Sequence, residues 1–79
     1  MCAALKRRPN PMPDFVLQAL DRRRLMDAFR ARPPYQRNDY LGWITRAKLE
    51  ATRLQRLNQM LDELERGDVY MNMRWNSRG

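Results

Sequence analysis

Lys48, Thr52, Arg53 and Arg56 fall close together where one helical pattern gives way to another. Their side chains are suited to one kind of chemistry: holding an anion or the acidic surface of a partner near a helix N-terminus. Arg53 lies on the same side as Leu57, Met60 and Leu64 at 100° per residue. Its stem is therefore expected to pack, while its guanidinium finds a carboxylate such as Asp39 or a backbone carbonyl. Other chemistries are poorly supplied. With no histidine in the chain, the common catalytic dyads and triads and the usual metal-ligand sets cannot be assembled. The three glycines, Gly42, Gly67 and Gly79, do not cluster into a phosphate loop. The acids Asp62, Glu63, Glu65 and Asp68 are expected on the exposed part of an amphipathic helix, where a raised pKa has no cause. Met71 and Met73 present two thioethers without a nearby histidine, a weak set even for Cu(I). The reading is a non-enzymatic chain, with no catalytic, cofactor or metal residues.

Charge points the same way. The chain has 16 Lys+Arg against 9 Asp+Glu in 79 residues, and arginine dominates the basic set, favouring bidentate contacts to phosphate or carboxylate. Basic residues crowd the middle, from Arg22-Arg23-Arg24 through Arg56, whereas Asp62 to Asp68 is acidic. Such a chain can pair its own halves or offer two faces to different partners. Arg22-Arg23-Arg24 reads most simply as a solvated face, with phosphate contact as the alternative.

The elements that position these residues are helices. Length allows one domain, and a core this small typically yields about 3 to 5 kcal/mol. The lone Cys2 forbids an intramolecular disulfide, so packing or a partner must supply the stability. Residues 1–12, with Lys6-Arg7-Arg8, Pro9 and Pro11, read as a flexible basic arm. A helix is predicted from Pro13 to Leu20, with an acid in its first turn and Val16 and Leu20 as an apolar pair. Asp21 is expected to cap a second helix over 22–32, which Pro33-Pro34 terminates.

A third helix over 35–47 is expected to bury Tyr40, Trp43, Ile44 and Ala47, with Leu41 at its edge. Gly42 inside it marks either a close approach or a harmless exposed site. A fourth helix over 50–66 carries Leu54, Leu57, Met60, Leu61 and Leu64 as a stripe and ends at Gly67. The two stripes differ in phase, so a turn is expected near Lys48 to Glu50. The tail, residues 68–79, is expected to fold back over the bundle or fray. This is an all-α bundle of four short helices, with its core at Phe29, Trp43, Ile44, Leu57, Leu61 and Leu64. No signal peptide or membrane span is legible, which makes the cytoplasm the default location.

Pro13-Asp14, the Pro33-Pro34 break, Arg37, Tyr40, Trp43-Ile44, Ala47-Lys48, Thr52-Arg53 and Arg56-Leu57, followed by a helix ending at Gly67, resemble the bacteriocin-protection, YdeI/OmpD-associated family. The chain departs from that pattern at Leu49-Glu50, where the family usually has a basic residue and a proline or another helix-starting residue. The resemblance implies a small helical domain linked to envelope stress and resistance to antimicrobial peptides, without an established catalytic activity. It favours a protein-interaction or regulatory module with a protein partner, and it leaves self-association open. Composition offers a second reading, a basic nucleic-acid-binding module.

Overall fold

The structure, a computed structural model, describes residues 10–75. Four helices follow in order, α1 (Asp14–Arg22), α2 (Met26–Ala31), α3 (Pro34–Thr45) and α4 (Glu50–Arg66). Two short strands, β1 (Val69–Tyr70) and β2 (Met73–Arg74), then pair antiparallel, with Val69 opposite Arg74 and Tyr70 opposite Met73. The all-α expectation is thus corrected in one place, since residues 69–74 form a hairpin folded back on the bundle.

α1 begins where proline allows it. Pro13 is extended at the N-cap, and its carbonyl receives the N–H groups of Val16 and Leu17 at 3.1 and 3.0 Å. The helix runs to Arg22, beyond the expected end at Leu20. Asp21 does not cap a second helix, because it lies inside α1. Arg24 takes a left-handed φ of 59°. Its N–H bonds to the Asp21 carbonyl at 3.1 Å, and the Leu25 N–H reaches the Leu20 carbonyl at 2.8 Å. These two bonds make a Schellman motif, with Arg24 in the position glycine usually holds. Leu20 and Leu25, the apolar residues at its two ends, both join the core. α2 therefore starts at Met26, four residues later than its expected beginning at Arg22.

The Pro33-Pro34 pair ends α2 and starts α3, because a proline in the first helical turn gives up an N–H that would have no partner there. Between α3 and α4 the chain turns at Arg46 to Leu49, as the change of stripe phase requires. Leu49 is extended at the N-cap of α4 without a side-chain cap. At the other end Gly67 adopts φ 82°, the left-handed conformation for which a Cβ would be strained.

The core gathers Val16, Leu20, Phe29, Tyr40, Ile44, Leu57, Met60, Leu61 and Leu64. Three side chains depart from expectation. Trp43 is only partly buried and packs at the margin, Leu41 is buried, and Leu54 is 46% exposed. Gly42 is buried and closely approached, but by side chains. An added Cβ would lie 2.7 Å from the Asn10 amide nitrogen and 2.9 Å from an Arg46 guanidinium nitrogen. Asn10 in turn is tied to α3. Its backbone N–H donates to Asn38 Oδ1 at 2.6 Å and its Nδ2 to the Asn38 carbonyl at 2.9 Å. Residues 10–12 of the expected arm are therefore docked. Cys2 and Lys6-Arg7-Arg8 lie outside the described residues. Among the described residues no helix is long and apolar enough to cross a membrane.

Candidate functional site

The turn between α3 and α4 brings the four basic-corner residues into one neighbourhood and gives them different tasks. A helix C-terminus leaves carbonyls without intrahelical partners, and the last turn of α3 is no exception. Arg56 Nη1 donates to the Trp43 carbonyl at 2.6 Å, and Arg53 Nη2 donates to the Ala47 carbonyl at 3.2 Å. The Arg56 guanidinium also lies 5.3 Å from the Trp43 ring centroid, a cation–π contact that covers part of the exposed ring. Both arginines come from α4, so they clasp the two helices at the corner. Of the two partners expected for Arg53, the structure selects the backbone carbonyl.

Lys48 stays exposed and Thr52 half-exposed, and neither is drawn into that clasp. Beside them Arg46 and Leu49 project as well, Leu49 being 69% exposed. The corner thus presents cations and bare apolar surface on a backbone held by two guanidinium groups.

The opposite charge of the two halves is partly settled within the chain. Arg23 at the end of α1 pairs with Glu65 at 2.8 Å and reaches Asp62 at 3.6 Å. The pair is exposed and holds the Arg23 pKa up through its bond to Glu65, a contact screened by water.

A second cluster was not legible as a site. Glu63, expected on the outer face of α4, is 3% exposed. It faces Tyr40, whose hydroxyl donates to Glu63 Oε1. The turn of the hairpin supplies two more donors. The Met71 N–H reaches Oε1 at 2.8 Å and the Asn72 N–H reaches Oε2 at 2.9 Å. Gln59 Nε2 completes the set on Oε2 at 3.0 Å. Met71 and Asn72 adopt φ 50° and 66°, which aims successive N–H groups at one anion. Four donors satisfy this carboxylate, so it serves as an anchor and has no spare lone pair for proton abstraction.

Around the anchor, buried Arg32 donates to Gln36 Oε1 and to the Glu63 carbonyl, both at 3.0 Å. Its guanidinium lies 4.6 Å from the Trp75 ring centroid. Tyr70 packs edge-on against Tyr35 and Tyr40 and donates to Asp39 Oδ2 at 2.7 Å. Burial is the main reason the Tyr40 and Tyr70 hydroxyls titrate well above the ordinary 10.0, followed by the bonds to Glu63 and Asp39. Met71 packs against the core while Met73 is 59% exposed, so the two thioethers do not form a common pocket.

The family model described as bacteriocin-protection, YdeI or OmpD-associated matches residues 11–67, more than two thirds of the chain. The chain belongs to that family. No curated protein and no solved structure matches it. The span matched by the bacteriocin-protection family contains both the basic corner and Glu63, whereas the hairpin whose amides bind Glu63 follows it. In this member, then, residues beyond the matched span complete the hydrogen bonding of a carboxylate within it.

Proposed function

We propose that this YdeI/OmpD-associated protein is a non-catalytic binding module that docks a protein partner in the cytoplasm, in defence against bacteriocins. Lys48, Thr52, Arg53 and Arg56 are the centre of its contact surface. One observation carries the reading: at this corner Leu49 is 69% exposed beside exposed Lys48 and Arg46. A bare leucine next to Lys48 in sequence, on backbone held by Arg53 and Arg56, suits an acidic amphipathic surface. Backbone held by two such bonds lowers the ordering cost of docking.

The test is survival of a bacterial host challenged with a bacteriocin while expressing the chain or a Lys48→Glu, Leu49→Ser double variant. Both substituted side chains are exposed, so the fold is retained and its circular dichroism unchanged. Loss of protection in the variant supports the corner. Unchanged protection argues against it.

A nucleic-acid reading rests on a separate observation. Arg22, Arg24, Arg30, Arg46 and Lys48 are exposed and have no carboxylate partner among the described residues. Phosphate neutralisation by such residues makes affinity fall steeply with salt. Duplex and single-stranded DNA titrated at low and near-physiological salt separate the readings. Binding that survives near-physiological salt and disappears on Arg46→Gln and Lys48→Gln favours nucleic acid.

A further inference from the structure

We propose that the pocket between α2 and the first half of α3 binds a monocarboxylate bearing a short apolar group, with Arg37 as its anion-binding residue. The pocket is a half-open cleft of about 240 Å³ lined by Asn10, Phe29, Pro34, Arg37, Asn38 and Leu41. It is distinct from the basic corner and does not depend on that corner's role.

Arg37 sets the chemistry. Its Nε is buried from solvent, and among the described residues it has no hydrogen-bond partner and no carboxylate pairs with the guanidinium. A buried donor without an acceptor is destabilising, and more so when charged. The protein's other inward-reaching arginines have solved this problem at least in part. Arg32 bonds to Gln36 and Glu63, Arg53 to Ala47, and Arg56 to Trp43. Arg37 alone among these four donates no bond within the described residues while lining a cavity.

The other walls narrow the ligand class. Asn38 uses its Oδ1 and its carbonyl to hold Asn10, which leaves the Asn38 NH₂ as a further donor. Among the described residues no acidic side chain lines the pocket, and Phe29, Pro34 and Leu41 are apolar. Such a lining offers a cation no counter-charge, and Asn10 Oδ1, the side-chain acceptor left open among the described residues, gives a neutral amide a weaker partner than the guanidinium gives a carboxylate. A planar carboxylate matches the guanidinium fork, and the single arginine suits one negative charge better than a phosphate dianion. A cleft of this size accommodates one small side chain beside the carboxylate. The ligand is therefore either a free short-chain acid or the C-terminal residue of a polypeptide, which share this recognition chemistry.

The test uses the full chain labelled with ¹⁵N, following the Arg37 Nε–Hε resonance, assigned by its loss in Arg37→Gln. Isovalerate and isovaleramide are titrated at constant ionic strength, beside acetylated tripeptides ending in leucine with a free or an amidated C-terminus. The expected result is a saturable shift with isovalerate or the free-acid peptide and none with the matching amide. By the backbone amide resonances of the pocket, Arg37→Gln then weakens binding at least about tenfold, the scale of a lost charge-assisted bond. Tighter binding of the peptide identifies a polypeptide end as the source, and binding of isovalerate alone identifies a free acid. Asn38→Asp provides a second variant. It keeps the acceptor for the Asn10 N–H, places a negative charge in the pocket, and is expected to weaken acid binding also if Arg37→Gln fails to fold. The proposal is overturned if acid and amide act alike, if inorganic phosphate produces the same saturable shift, if no acid saturates, or if neither variant alters binding.

Discussion

Tyr40 on α3 donates a hydrogen bond from its hydroxyl to the Glu63 carboxylate on α4, 23 positions away in the chain, in a contact closed off from solvent. The same carboxylate accepts the Met71 and Asn72 N–H groups, so one buried anion joins two helices and the hairpin. Glu63→Ala leaves these three donors without acceptors, at about 1 to 3 kcal/mol for each that stays dry. Against a small-domain stability of about 3 to 5 kcal/mol, the variant is expected to be largely unfolded. Tyr40→Phe removes a single hydroxyl and is expected to cost about 1 to 2 kcal/mol. Urea denaturation of both variants checks the order. Equal and small losses would mean that the carboxylate does not anchor the hairpin.

The two tyrosines give the fold an alkaline limit. In the folded state Tyr40 and Tyr70 keep their protons above the ordinary 10.0, through burial first and then through the bonds to Glu63 and Asp39. The folded form therefore binds more protons than the unfolded chain once pH passes that value. The stability is fully present below pH 10.0 and is lost as pH rises through the folded-state values. Unfolding midpoints measured on both sides of pH 10.0 are expected to fall on the alkaline side. The fall should be shallower in Tyr70→Phe relative to that variant's own neutral value.

Arg24 occupies the left-handed position of the Schellman motif with φ 59°. A side chain there carries a strain of about 1 kcal/mol that glycine does not, and among the described residues Arg24 forms no side-chain bond that would be lost. Arg24→Gly is expected to raise stability by up to about 1 kcal/mol, less a part for the freer unfolded chain. Gly67→Ala, at φ 82°, is expected to lower it by about 1 kcal/mol. Thermal unfolding of the two variants gives opposite shifts if the backbone reading is right.

Arg56 covers part of the Trp43 ring and bonds to the Trp43 carbonyl. In a Trp75→Phe background, Arg56→Gln is expected to make Trp43 emission redder and more accessible to a neutral quencher. It should also cost about 1 to 2 kcal/mol. Unchanged emission and stability would place Arg56 outside the corner clasp.

These residues also show where a sequence stops speaking. Leu57, Met60, Leu61 and Leu64 recur with helical period, and the phase change before them marks the α3–α4 turn, so both were legible. The end of α1 was not, because nothing about Arg24 favours a left-handed conformation and the two bonds that hold it there appear only once the helix has formed. Glu63 sits between Asp62 and Leu64 at the flank of the apolar stripe, 60° from Met60 at 100° per residue. Among three other acids it looked solvated. Its burial depends on Tyr40 and on a turn at Met71-Asn72, and no glycine announces that turn. For Arg53 and Arg56 the residue types suggest anion chemistry, whereas the acceptors they meet in the structure are carbonyls of their own chain.

The most direct test of a protein-docking corner is in-cell photo-crosslinking from a photoreactive residue placed at Leu49, with a control at Leu17 on α1, which is 44% exposed. A discrete protein adduct from position 49 that is absent from position 17 and lost on Lys48→Glu is the predicted result. Crosslinks to nucleic acid, or equal protein adducts from both positions that ignore Lys48→Glu, would contradict it.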